Sequence, residues 1–215
     1  MALSTQETRD LYGRRAARYD LAVRLYGLVG MRLDRYRRRA VNALALRPGD
    51  IVVDLGCGTG LNLPLLVQAV GPAGHVIGVD LTDAMLDQAR RRVEDAGWPN
   101  VELVQSDMAS YEFPDGLGGV LSTLALTLAP EYDAIVRRAA RALRPEGRLA
   151  VVDLKRPDGW PEPIVRFAAW LNRPYGVSLD LADRHPWESI RSALHEVVFQ
   201  ELYGGMLYLG VGEAR

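Results

Sequence analysis

The sequence predicts an α/β domain: a mostly parallel sheet with helices on both faces, a helical extension before it and an antiparallel strand pair at its end. Three observations carry this expectation. Apolar runs of strand length alternate with helix-like stretches between residues 51 and 153, the rhythm of a parallel sheet covered on both sides. Val53-Asp54-Leu55-Gly56-Cys57-Gly58-Thr59-Gly60 joins the first strand to the first helix through a glycine-rich turn. Gly204-Gly205 separates two late strand candidates and reads as a hairpin turn.

The elements follow in order. The first 47 residues carry no strand pattern. Ser4 and Glu7 have capping-box spacing for a helix reaching about Tyr19. A second helical run is expected from about Leu21 to Leu46, loosened in the middle by Gly27 and Gly30. Arg47-Pro48-Gly49-Asp50 is a turn. Ile51 to Leu55 is apolar enough for a strand buried on both faces, and the helix after it should end near Val70. His75 to Val79 is the second strand, and Thr82 is a plausible N-cap for a helix to Ala96. Val101 to Gln105 and Gly119 to Thr123 are strand-like, Pro130 opens a helix to Leu143, and Gly147 to Asp153 is the fifth strand. Val197 to Tyr203 and Met206 to Val211 form the last pair.

Composition narrows the function classes. With 215 residues, 48% hydrophobic and 25% charged, the chain suits one globular domain with a short appendage. The single cysteine, Cys57, excludes an internal disulfide framework and a multi-cysteine zinc site, and no metal is expected. The N-terminus lacks the apolar core of a secretory signal, and no apolar run approaches the ~20 residues of a spanning helix. A cytoplasmic location is the expectation. The net charge of −1 hides an asymmetry: residues 1–47 carry a balance of +7 and the remainder −8. Arg32, Arg35, Arg37, Arg38 and Arg39 form a dense cluster beside Leu28, Val29, Met31 and Leu33. A basic segment of this kind suits an anionic partner, a membrane surface or nucleic acid; a solvated helix face is the bland alternative. The acidic body, and the lack of a recognised nucleic-acid module, disfavour nucleic acid.

The residues that carry chemistry cluster at strand ends. Glycines at 56, 58 and 60 let the backbone turn tightly and admit a ligand close to the peptide groups, while Leu61 breaks the dinucleotide pattern G-x-G-x-x-G. Asp80 ends the second strand about twenty residues further on, where a carboxylate can accept ribose hydroxyls. Asp107, after the third strand, is placed for an exocyclic amino group, and Asp54, before the glycines, for a cationic one. Each aspartate alone is more often a cap or a solvated turn residue; three beside one glycine loop point to a nucleoside-bearing ligand.

Residues 51–153 resemble the class I S-adenosylmethionine-dependent methyltransferases. The resemblance lies in 53–60, in Gly78-Val79-Asp80-Leu81-Thr82-Asp83-Ala84-Met85-Leu86, in Ser106-Asp107-Met108 and in Leu143-Arg144-Pro145-Glu146-Gly147-Arg148-Leu149. In the last of these Arg148 stands where the family usually has a second glycine. The resemblance implies a Rossmann-like, seven-stranded sheet with its final strand antiparallel, and S-adenosyl-L-methionine as cofactor. It divides the chain into a helical lid or membrane-facing segment, 1–47, and a cofactor-binding methyltransferase domain, 48–215. It implies a cofactor site formed by Asp54, Gly56, Cys57, Gly58, Thr59, Gly60, Asn62, Asp80, Leu81, Met85, Asp107, Met108, Thr123 and Tyr19.

Methyl transfer from a sulfonium chiefly requires that the reactants be held in register and kept dry, so a dedicated base is optional. Tyr19 and His185 are the candidates for one. The stretch from Tyr12 to Asp20 resembles the helical entry of bacterial phospholipid N-methyltransferases and of ubiquinone/menaquinone C-methyltransferases. The expected acceptor is the phosphatidylethanolamine headgroup at a membrane surface, with a quinone precursor of the demethylmenaquinone type or a soluble small molecule as alternatives. Tyr12, Lys155 and Arg156 are the candidate acceptor contacts. A cofactor-binding protein without turnover, or a lipid-surface adaptor, stays open as a different class, and an NAD-dependent oxidoreductase is disfavoured by Leu61.

Overall fold

A computed structural model of the chain describes residues 5–13, 20, 30–172, 181 and 184–215. Seven strands form one sheet in the order β3-β2-β1-β4-β5-β7-β6. They are β1 (Ile51–Leu55), β2 (His75–Asp80), β3 (Val101–Gln105), β4 (Leu117–Thr123), β5 (Leu143–Leu154), β6 (His195–Leu202) and β7 (Leu207–Glu213). The first five pair in parallel, and β7 lies antiparallel between β5 and β6. The sheet is therefore Rossmann-like, mostly parallel with an antiparallel end.

Around it stand α1 (Thr5–Gly13), α2 (Leu33–Ala43), α3 (Leu63–Val70), α4 (Asp83–Ala96), α5 (Tyr132–Ala142), α6 (Glu162–Asn172) and α7 (Pro186–Ala193). Burial explains which residues became strand. Every residue of β4 is buried, and so are all of β1 except Ile51 and all of β7 except Glu213, as continuous apolar runs in a doubly covered sheet must be. One core packs Ile135, Val136 and Ala139 of α5 with Ile190 of α7 against Val53, Val120 and Val151. The other packs Leu33, Ala40 and Val41 of α2 with Leu63 and Leu66 of α3 against Val52, Leu121 and Val152. Strand β1 is followed by β2 on one side and lies against β4 on the other, so the order reverses between β1 and β4. Ligands bind outside the carboxyl ends of strands at such a point.

Several boundaries differ from expectation. Within the predicted second helical run, Gly30 is left-handed at φ 84°, and the described helix spans only Leu33–Ala43. Strand β5 starts at Leu143 rather than Gly147, because Leu143 pairs with Leu117 ahead of a register shift. Helix α5 is shorter than predicted at both ends, at its C-terminus because β5 already begins at Leu143. Thr82 holds the N-cap position of α4 but its side chain makes no capping bond. The hairpin turn spans Tyr203–Gly205, longer than two glycines, and is left-handed throughout, with φ of 47°, 63° and 86° along it. Ser4, Tyr19, the first helix beyond residue 13 and residues 21–29 lie outside the described residues. No helix among the described residues is long and apolar enough to cross a membrane.

Candidate active site

The carboxyl ends of β1, β2 and β4 converge on a cavity of about 110 Å³. The turn after β1 supplies its floor. The amides of Gly56 and Cys57 donate to the Val79 carbonyl at 2.8 and 2.9 Å, and the Gly58 amide donates to Asp80 Oδ2 at 2.8 Å. Gly56 has φ 74°, and a Cβ there would lie 2.3 Å from the Ala125 Cβ; only a glycine lets the turn meet the loop after β4. Gly58, at φ 55°, has open space where its Cβ would be and faces the cavity.

Asp80 closes one side. Its Oδ1 accepts from the Thr82 amide at 2.9 Å while Oδ2 holds Gly58. Burial pushes its carboxyl upward, against the lowering effect of the amides of Thr82 and Gly58. A carboxylate accepts about four hydrogen bonds, so capacity remains on the cavity side. Leu81 and Met85 line the same wall, and Met108 and Asp107 come in from the turn after β3. Asp107 Oδ1 accepts from the Ala109 amide at 2.8 Å, while its Oδ2 has no donor among the described residues. Arg138 of α5 fixes this turn by donating to the carbonyls of Met108 and Ala109.

Beneath the floor lies a buried polar group. Asp54 is fully buried; Asn62 Nδ2 donates to its two oxygens at 2.9 and 3.2 Å and reaches Thr123 Oγ1 at 3.1 Å. Burial pushes the Asp54 carboxyl up to about 7, despite the opposing Asn62 bond and the Arg37 guanidinium of α2. An unfolded carboxyl titrates near 3.8. The proton on folded Asp54 thus favours the native state, fully below that value and no longer once the pH has risen through about 7. Asp54→Asn keeps the shape without the titration. Its unfolding free energy, measured by urea at about pH 5 and about pH 8, is expected to fall less with pH than the wild type's, by an amount on the order of 3 kcal/mol at most. Curves that fall in parallel would remove Asp54 from the balance.

The remaining wall was not visible in the sequence. Leu124, Ala125, Leu128, Ala129, Pro130 and Glu131 line it, joined by Tyr12 from α1. Leu124 is left-handed at φ 58°, a strain that surrounding structure must hold. Two charged groups hold it. Asp153, at the end of β5 and buried, accepts the Thr127 amide at 2.8 Å, and Arg184 donates to the carbonyls of Thr127 and Leu128 at 2.6 and 2.8 Å. Burial pushes Asp153 up to about 6. The signal that could have found this wall is topological: a segment leaving β4 beside the switch point.

The predicted site residues thus divide. Gly56, Gly58, Asp80, Leu81, Met85, Asp107, Met108, Thr123 and Tyr12 share the cavity. Asp54, Asn62, Cys57, Thr59 and Gly60 stand behind it. Cys57 is buried, its Sγ 3.1 Å from where a Gly78 Cβ would sit, and burial pushes its thiol up. Thr59 Oγ1 donates to Asp20 at 2.6 Å, and Arg92 of α4 binds the same carboxylate at 2.7 Å, so this threonine ties the N-terminal segment to the glycine turn. Lys155 and Arg156 lie outside the cavity: Lys155 bonds Asp158 at 2.6 Å and Glu201 at 2.9 Å, and Arg156 bonds Glu162 at 2.6 Å. His185 precedes α7, 3.5 Å from Glu188 and tilted over Trp187, also away from the cavity.

The lining fits S-adenosylmethionine in its charge. The carboxylates of Asp80, Asp107 and Glu131 line the cavity, and no Lys, Arg or His does among the described residues. A pyrophosphate would meet repulsion there, and the Gly58 amide already holds Asp80. A sulfonium bearing an ammonium group meets attraction. Asp80 suits the ribose hydroxyls and Asp107 Oδ2 an adenine amino group, with Leu81, Met85 and Met108 as apolar contacts. No group of His, Cys, Asp or Glu among the described residues could hold a metal ion.

Comparison with known proteins agrees. Residues 52–147 match the family model described as a methyltransferase domain. The arsenite methyltransferase of Halobacterium salinarum is 37% identical over 121 residues, 56% of this chain and 31% of that protein. The demethylmenaquinone methyltransferase of Listeria welshimeri is 31% identical over 131 residues, 60% of this chain and 56% of that protein. The chain therefore spans about half or less of the curated relatives it matches. The fold superposes on a geranyl diphosphate C-methyltransferase from Streptomyces coelicolor, solved with S-adenosyl-L-homocysteine, at a TM-score of 0.68 and 15% identity, covering 85% of this chain and 79% of the other. With the glycine turn, the acidic cavity and the strand order in agreement, residues 52–147 belong to the class I S-adenosylmethionine-dependent methyltransferases.

Proposed function

We propose that the chain is an enzyme that N-methylates the phosphatidylethanolamine headgroup at a membrane surface. One observation carries the reading: the cavity wall formed by the segment after β4 combines a carboxylate, Glu131, with apolar Leu124, Leu128, Ala129 and Pro130. The carboxylate attracts the ammonium headgroup and can take the proton whose loss frees the nitrogen lone pair for attack on the methyl group, while the apolar residues suit the lipid portion behind it. When bound, S-adenosylmethionine supplies an electrophilic methyl group. The chain's own part is to hold the amine beside the cofactor cavity and to exclude water, which Tyr12 of α1, part of the cavity lining, supports. Asp153 and Arg184 are positioning residues here, since they fix the Thr127 peptide that anchors the wall.

Methyl-labelled S-adenosylmethionine supplied with phosphatidylethanolamine vesicles, followed by lipid chromatography, tests this. Label is expected in mono- or dimethylated headgroups. Unlabelled lipid from protein that binds the cofactor would overturn the acceptor. A second reading, C-methylation of a demethylmenaquinone-type ring, is favoured by the Listeria relative at 31% identity; the quinone precursor is the substrate to offer next.

A further inference from the structure

Helix α6 turns a row of large apolar side chains to solvent. Ile164, Phe167 and Trp170 are 48%, 61% and 62% exposed, and Trp160 just before the helix is 38% exposed. The three-residue spacing puts them on one side, and Phe167 and Trp170 stack with centroids 5.8 Å apart. Val165 is buried on the other side. No described helix or strand makes an extended contact with α6. A contiguous apolar face of this kind marks a surface that something covers.

Charge identifies the covering. Arg166 flanks the row beside Trp170 and has no ion pair or hydrogen bond among the described residues. The row continues into a basic rim. Trp160 lies over the hairpin turn, 3.2 Å from where a Gly204 Cβ would sit, and the Tyr203 ring of that turn is 3.9 Å from where a Gly30 Cβ would sit. Two residues beyond Gly30 come Arg32 and then Arg35, both exposed and both without an ion pair among the described residues. A second copy docking face to face would bring these arginines together. An anionic lipid surface would pair with them, and tryptophan, phenylalanine and arginine are the side chains that seat in the headgroup boundary.

We infer that the apolar face of α6, rimmed by Arg166, Arg32 and Arg35, docks the protein on an anionic lipid bilayer. Helix α6 follows β5 at the carboxyl edge of the sheet, the edge on which the cavity opens, so docking brings the opening to the lipid. The inference deepens the proposed function and rests on it for the acceptor alone.

The test is co-sedimentation of the full chain with vesicles of phosphatidylcholine, with and without phosphatidylglycerol. Binding is expected to require phosphatidylglycerol, to weaken with salt, and to fall about tenfold in the Phe167→Ser/Trp170→Ser double variant. Arg166→Glu is expected to weaken it too. Brominated acyl chains should quench tryptophan fluorescence less in Trp170→Phe. Wild-type binding retained by the double variant, or absent altogether, would overturn the inference. A double variant that loses a dimer in sedimentation, with lipid binding unchanged, would assign the face to a second copy. Methylation of phosphatidylethanolamine in detergent micelles separates the two proposals: turnover in micelles without vesicle binding sinks only the docking, and vesicle binding without turnover sinks only the acceptor.

Discussion

Gly56→Ala is expected to destabilise the fold by about 3 kcal/mol or more, while Gly58→Ala costs only about 1 kcal/mol. Both positions are left-handed, at φ 74° and 55°, so both substitutions incur the backbone strain of an L-residue. Only the first adds an overlap. The new methyl group would sit 2.3 Å from the Ala125 Cβ and 3.4 Å from Met108 Cε, whereas at Gly58 it would meet nothing within 4 Å. The overlap falls between the turn after β1 and the loop after β4, the two segments that flank the cavity. Urea unfolding of both variants tests the difference, and a triangle with Ala125→Gly makes it specific. Removing the Ala125 methyl group in the Gly56→Ala background should restore part of the loss. Equal losses at the two glycines would mean that backbone strain alone governs the turn.

Asp80→Ala is expected to weaken S-adenosylmethionine binding by about 100-fold, read by titration calorimetry. The carboxylate serves the site twice: it faces the cavity, and it holds the amides of Gly58 and Thr82 at 2.8 and 2.9 Å. Charge-assisted hydrogen bonds contribute about 1.5–3 kcal/mol each, and tenfold in affinity corresponds to about 1.4 kcal/mol. Loss of the ligand bond, together with a loosened Gly58, reaches the expected figure. Asp80→Asn keeps an acceptor but loses the charge, and should fall between. Asp107→Ala should cost less, because one of its oxygens is committed to the Ala109 amide of its own turn. Affinity within threefold of wild type for Asp80→Ala would reduce Asp80 to a latch for the glycine turn.

Local chemistry made half of this molecule legible. Strands β1 and β3 fall on their predicted residues, because apolar runs bounded by Pro-Gly, Pro-Asn and Gly punctuation leave little freedom. Asp80 and Asp107 were found because a strand end followed by a turn announces itself in sequence. What stayed hidden depends on contacts between distant segments. Arg144-Pro145-Glu146-Gly147 reads as a turn, yet Leu143 ahead of it pairs with Leu117 and begins β5. Glu131 and its apolar neighbours carry no motif; the parallel pairing of β4 with β1 alone brings them to the cavity. The Lys155-Arg156 pair was legible as charge at the right sheet edge. Its neutralisation by Asp158, Glu201 and Glu162 required β6 and α6 to come beside it.

The antiparallel β7 has a consequence for the order in which the protein can assemble. It is the last strand in the chain, yet it is bonded on both sides, from Arg148–Glu213 to Leu154–Leu207 against β5 and from His195–Glu213 to Leu202–Leu207 against β6. As the chain emerges from the ribosome, β1 to β5 can pair among themselves while β6 has no partner and β5 presents a bare apolar edge. Both wait for residues 207–213. The half of the sheet that carries the cofactor turn is thus free to form first, and the half that braces Asp153 and the opposite wall forms in a single late step. Interrupted synthesis anywhere between β5 and β7 leaves a nascent chain whose exposed strand edge is the hazard a chaperone would have to cover.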